Sequence, residues 1–147
     1  MRVLFLCTGN SARSQMAEAI LRHLSNGAVD VASAGTKPQP AIHPMAKKAI
    51  QQLLNITMGE QWPKSLDEFV GQRFDVVITV CDAAAAECPA FPGAASQLHW
   101  SFEDPAAAIG SEDQRQRFFD ASAKAIVARI NLWLETAGLP IEGRRGM

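Results

Sequence analysis

The sequence has no tyrosine and only three cysteines. No apolar run is long enough to span a bilayer, so no transmembrane helix is expected. The N-terminus has one arginine ahead of a short apolar run that ends in polar residues, which is not the form of a signal peptide. Neither sign of charge dominates. Lys and Arg number 14 against 15 Asp and Glu, a net charge of −1. That balance argues against a nucleic-acid-binding surface, though not against a local positive pocket. There is no internal repeat and no low-complexity stretch, which sets aside solenoids and linker-like chains. Three cysteines without an export signal point to a reducing compartment, and to chemistry rather than stapling. The expected location is the cytoplasm.

What is present is an ordinary globular composition, 48% hydrophobic and 20% charged over 147 residues. One domain spanning 1–147 is expected, burying roughly two thirds of its unfolded surface. Residues 139–147 are expected to form a frayed tail.

The chain is organised around Cys7-Thr8-Gly9-Asn10-Ser11-Ala12-Arg13-Ser14. Before it, Val3 to Leu6 form a continuous apolar run suited to a buried parallel strand. After it, Met16, Ile20 and Leu24 recur every fourth residue, with Ala17 and Leu21 alongside, so a helix follows. Strand, tight loop and helix N-terminus make an anion cradle, because loop amides and helix dipole converge on one spot. The guanidinium of Arg13 adds a planar fork that grips two oxygens of a tetrahedral oxyanion. Cys7 opens the loop, where the same positive field favours a thiolate, and Ser14 is placed to donate a hydrogen bond to its sulfur. A nucleophile thus lies under the bound oxyanion. The lysine of a nucleotide-binding G-x4-G-K-S/T loop is missing, so ATP is not the expected ligand.

Further along, Val29 to Ser33 reads as a second strand before a turn at Ala34-Gly35. Pro44 suits the first turn of a helix running to about Leu54. Residues 55–64 read as an irregular connector, with Leu66 to Val70 a short helix. Phe74 to Val80 is the clearest strand. Ala83 to Ala86 favour a helix, and Gln97 to Trp100 reads as a fourth strand. Ser111-Glu112-Asp113-Gln114 has the form of a capping box. It opens a long helix whose core face is Phe119, Ala123, Ile126, Ile130 and Trp133, ended by Gly138 and Pro140. Alternation of strands and helices predicts a three-layer αβα domain on a four-stranded parallel sheet, with ligands at the carboxyl ends of the strands. The pattern alone leaves strand order open.

The run C-T-G-N-S-A-R-S-Q-M-A-E resembles the phosphate-binding loop of the low-molecular-weight tyrosine phosphatase fold. Its likeness is greatest to the thioredoxin-coupled arsenate reductases built on that fold. The likeness continues through Ser33-Ala34-Gly35, Ser65-Leu66-Asp67-Glu68-Phe69, Val80-Cys81-Asp82, Cys88-Pro89, His99-Trp100 and Asp104-Pro105-Ala106, in order along most of the chain. It implies strand order 2-1-3-4, which makes the strands ahead of Cys7 and Cys81 neighbours. Neighbouring strands lie about 4.8 Å apart, compatible with disulfide formation between them.

The resemblance also implies a role for each cysteine. Cys7 attacks arsenate held by the amides of Thr8, Gly9, Asn10, Ser11, Ala12, Arg13 and Ser14 and by the Arg13 guanidinium, while Asp104 protonates the departing oxygen. Cys81 then attacks Cys7, releasing arsenite, and Cys88 moves the disulfide outward to be reduced by thioredoxin. If 82–88 is helical in the reduced state, Cys81 and Cys88 lie about 10 Å apart and the segment must unwind on oxidation. Arsenate is the expected substrate, with phosphate or sulfate as competitors and no bound cofactor or metal. A Cys81, Cys88 and His99 metal site lacks paired spacing. His23, His43 and His99 read as structural, and a monomer is expected.

The chain departs from the family at two positions. Ala12 replaces an extra cysteine that some members carry. Some members bind potassium beside the loop through Asn, Glu, Ser and Asp; Asn10, Glu18 and Ser33 match, but Lys64 aligns with the Asp. The Lys64 ammonium is therefore expected to take the cation's place and steady the loop. One rival is a tyrosine or small-substrate phosphatase, whose phosphotyrosine-binding members carry aromatics after the Asp-Pro where this chain has Ala106-Ala107-Ala108. A second is a non-catalytic oxyanion sensor whose cysteines report redox state.

Overall fold

The computed structural model describes residues 1–80 and 91–137. Among these residues four strands form one parallel sheet: β1 (Arg2–Cys7), β2 (Asp30–Gly35), β3 (Phe74–Thr79) and β4 (Ala94–His99). Their order is β2-β1-β3-β4, as the resemblance implies. The connections carry α1 (Arg13–Leu24), α2 (Pro44–Leu54) and a short 3-10 turn (Leu66–Phe69). A second 3-10 turn (Pro105–Ala107) and α3 (Glu112–Ala137) complete the described chain. No described helix is long and apolar enough to cross a membrane.

Alternation along β1 divides the core. Val3, Phe5 and Cys7 pack with Met16 and Ile20 of α1, Ala46 and Ile50 of α2, and Phe119, Ile126 and Ile130 of α3. Leu4 and Leu6 face the other way, onto Ala34, Phe74, Val77 and Phe91, with Leu66 and Phe69 alongside. The three described α-helices therefore contribute to one face of the sheet. The described cover of the opposite face is a 3-10 turn and aromatic rings. The helix expected at 82–88, and with it the unwinding on oxidation, lies outside the described residues. So do Gly138, Pro140 and the expected 139–147 tail.

Local signals account for most boundaries. His43 caps α2: its Nδ1 accepts from the Met45 amide at 3.1 Å, with Pro44 in the first turn. The box ahead of α3 forms, the Ser111 hydroxyl accepting from the Gln114 amide and Gln114 Oε1 accepting from the Ser111 amide.

Two boundaries differ from the sequence reading. β2 does not turn at Ala34-Gly35 but pairs with β1 as far as Gly35 opposite Cys7. The Gly35 amide also bonds to the Lys64 carbonyl at 2.8 Å. Glycine is required there, because a Cβ would lie 2.5 Å from the Thr8 carbonyl oxygen. β4 begins earlier than expected, at Ala94, and its mostly exposed edge position explains why no apolar run marks it.

Candidate active site

The loop after β1 is held open by its own carbonyls, which all turn outward. Those of Cys7, Thr8, Gly9 and Ser11 accept from the amides of Thr36, Lys37, Gln39 and His43 at 2.9–3.3 Å. The Asn10 carbonyl accepts from Gln15 Nε2 at 3.1 Å. With the carbonyls committed outward, the amides of Thr8 to Arg13 bond to no acceptor among the described residues. Ala12, at the N-cap of α1, offers no side-chain acceptor for the helix's first amides. The donor set is therefore a cluster of peptide N–H groups at a helix N-terminus, which suits a multiply charged oxyanion.

Behind the loop lies a buried polar network that fixes its shape. Asn10 is fully buried and left-handed, with φ of 48°. Its Nδ2 donates to the Ser14 and Ser33 hydroxyls at 2.8 and 3.0 Å, and its Oδ1 accepts from the Lys64 amide at 2.8 Å. Ser33 donates to Glu18 Oε1 at 2.7 Å, and Arg22 pairs with Glu18 Oε2 at 2.6 Å. The Lys64 ammonium lies 3.8 Å from Glu18, donates to the Trp62 carbonyl at 2.8 Å and sits over the Trp62 ring. Burial pushes the Lys64 pKa down from the usual lysine range, with Glu18 and Glu68 opposing. Asn10, Glu18, Ser33 and Lys64, singled out in the sequence, thus meet in one cluster.

Across the loop Arg13 is buried, 7% exposed. Its Nη1 donates to the Phe102 carbonyl at 3.0 Å, and Nη2 lies 3.9 Å from Asp104 Oδ2. Asp104 also caps the turn that follows it, Oδ1 accepting from the Ala106 amide at 3.0 Å, so the direction of its carboxyl is fixed. Arg13 and Asp104 thus meet at the far end of the loop that Cys7 opens. No hydrogen bond joins Ser14 to the Cys7 sulfur in this structure; the hydroxyl oxygen of Ser14 accepts from Asn10 Nδ2. Cys81 and Cys88 lie outside the described residues. The Val80 amide, immediately before Cys81, bonds to the carbonyl of Leu6, immediately before Cys7, at 2.8 Å. His99 is engaged on both ring nitrogens, by Thr79 Oγ1 at 2.6 Å and Ser101 Oγ at 3.0 Å.

The profile of the family described as low molecular weight phosphotyrosine protein phosphatase matches residues 2–137. The chain belongs to that family. Within it, the chain is 38% identical to an arsenate reductase of Halalkalibacterium halodurans over 134 residues, 91% of this chain and 95% of the relative. Identity to an arsenate reductase of Bacillus subtilis is 36% over the same shares. Among solved structures, an arsenate reductase in the phosphate-binding state superposes with a TM-score of 0.75 at 25% identity, covering 92% of this chain and 97% of that one. The thioredoxin-dependent arsenate reductase of Corynebacterium glutamicum gives a TM-score of 0.60 at 30% identity, covering 89% and 62%.

Several residues that build this phosphatase-family loop were not visible in the sequence. Gln15, Gln61 and Arg22 complete the network from positions that read as ordinary helix or connector. The Phe102 carbonyl that holds Arg13 has no side-chain signature at all. Only the placement of Gln15 directly after the loop offered a hint.

Proposed function

We propose that this protein is an arsenate reductase, and that a three-cysteine relay serves its reaction. The Cys7 thiolate attacks arsenic in arsenate held by the loop amides and Arg13. An As–O bond breaks and Asp104 supplies the proton to the departing oxygen. Cys81 then attacks the Cys7 sulfur. The S–As bonding pair passes to arsenic, so arsenic(V) leaves as arsenite and two thiols become one disulfide. Cys88 attacks Cys81, returning Cys7 as a thiolate, and thioredoxin reduces the Cys81–Cys88 disulfide.

The observation that favours a reductase over a plain phosphatase is the 36–38% identity to arsenate reductases over 91% of the chain, together with Cys81 and Cys88 in the sequence. The Val80 to Leu6 hydrogen bond ties together the chain just ahead of Cys81 and Cys7, as a relay between them would need. The exposed Ala106 and Ala107 after Asp104-Pro105 supply no aromatic wall for a phosphotyrosine ring. The test is arsenate-dependent NADPH oxidation coupled through thioredoxin and its reductase. The parent turns over, and Cys7→Ser, Cys81→Ser and Cys88→Ser each stop multiple turnover. A Cys88→Ser protein that cycles like the parent breaks the last step of the relay. A parent that hydrolyses aryl phosphates but oxidises no NADPH returns the chain to the phosphatases.

A further inference from the structure

We propose that Gln15 is a positioning residue for oxyanion capture, acting through Asn10 and tying the loop to the segment before Lys64. The proposal rests on the reading of residues 7–14 as an oxyanion cradle. Gln15 is fully buried in the first turn of α1. Its Nε2 lies within hydrogen-bond distance of three acceptors: the Asn10 carbonyl at 3.1 Å, Asn10 Oδ1 at 2.9 Å and the Trp62 carbonyl at 2.9 Å. One amide group thus grips both the backbone and the side chain of the same residue. Gln61 fixes which way round that amide lies, its Nε2 donating to Gln15 Oε1 at 2.8 Å and to the Gln15 carbonyl at 3.0 Å.

Asn10 is the residue most in need of a grip. Its φ of 48° lies in the left-handed region that non-glycine residues occupy sparingly. Rotation back to negative φ would swing the flanking peptide planes, and with them loop amides that point into the cradle. Gln15 opposes that rotation by holding the Asn10 carbonyl outward. Its bond to Oδ1 also leaves Asn10 Nδ2 directed at Ser14 and Ser33. Through the Trp62 carbonyl, which accepts from the Lys64 ammonium as well, the same amide joins the loop to the Lys64–Glu18 pair.

The test is calorimetric titration of the reduced protein with inorganic phosphate, alongside phosphate protection of Cys7 against alkylation. Gln15→Met keeps the length of the side chain and removes its donors, and should weaken phosphate about tenfold. Gln61→Leu, at a half-buried position, should weaken it in the same sense by a smaller factor. The decisive comparison uses Asn10→Gly, because glycine adopts positive φ without a grip. In that background Gln15→Met should change phosphate affinity little, a non-additive cycle that a simple packing role does not produce. Unchanged affinity in Gln15→Met and Gln61→Leu overturns the proposal. So does full additivity with Asn10→Gly. A parent that binds no phosphate instead refutes the cradle itself, which keeps the two failures distinct.

Discussion

At Arg13 the guanidinium is set before any anion arrives, one nitrogen on the Phe102 carbonyl and another facing Asp104. A lysine reaches such a site as a point charge and cannot hold that carbonyl while presenting a second planar donor pair. Arg13→Lys should therefore lower kcat/KM for arsenate by about 100-fold or more, measured in the coupled assay. Lys64 makes a complementary case. We propose that its ammonium, 3.8 Å from Glu18, balances that carboxylate in place of a bound monovalent cation. Activity of the parent should not respond when potassium replaces sodium. Lys64→Asp should lose thermal stability in sodium and recover part of it in potassium. Strong potassium stimulation of the parent would rule out the substitution of ammonium for cation.

Among the elements, α2 carries a pH-dependent cap. The His43 ring accepts a hydrogen bond from Met45 and packs on Phe119 with centroids 4.4 Å apart. Burial lowers its pKa from the usual histidine value, the nearby Arg115 lowers it further, and Asp104 opposes. The unfolded chain therefore takes up this proton at higher pH than the folded one. The stability it contributes is complete above about pH 6.5 and is lost as pH falls toward the lowered folded value. His43→Asn keeps a capping acceptor without the titration. Melting curves between pH 7.5 and about 5 should accordingly fall less steeply for the variant than for the parent. Elements with strong local signals were legible in the sequence. Pro44 to Leu54, the Ser111 box and the strand from Phe74 carry their own caps or apolar runs. The start of β4 was not, because small and polar residues on an edge strand give no period to read. Nor was the extension of β2 to Gly35, whose cause is the close approach of Thr8 from another part of the chain.

For the whole molecule, the sheet order places the end of β1 between β2 and β3, so the loop is braced from both sides. The Cys7 to Ser14 motif could be read from the sequence because nucleophile, glycine and arginine are contiguous. The network behind it could not, since Gln15 meets Gln61 and Trp62 from more than forty positions away. A braced site should behave as one body on binding. Phosphate at a hundred times its dissociation constant should stabilise the fold by about 2.7 kcal/mol. That is a rise in melting temperature of roughly 5–10 °C for a chain of this size. The rise should vanish in Arg13→Ala. The outward-turned carbonyls carry one more implication. A rim of peptide N–H groups reads tetrahedral shape and charge, features that arsenic and phosphorus oxyacids share. Discrimination then belongs to what happens after capture, when sulfur meets a reducible centre or an inert one. Inorganic phosphate should compete with a Ki within about tenfold of the arsenate KM, so the cell's own phosphate pool would set the pace at which arsenic is cleared.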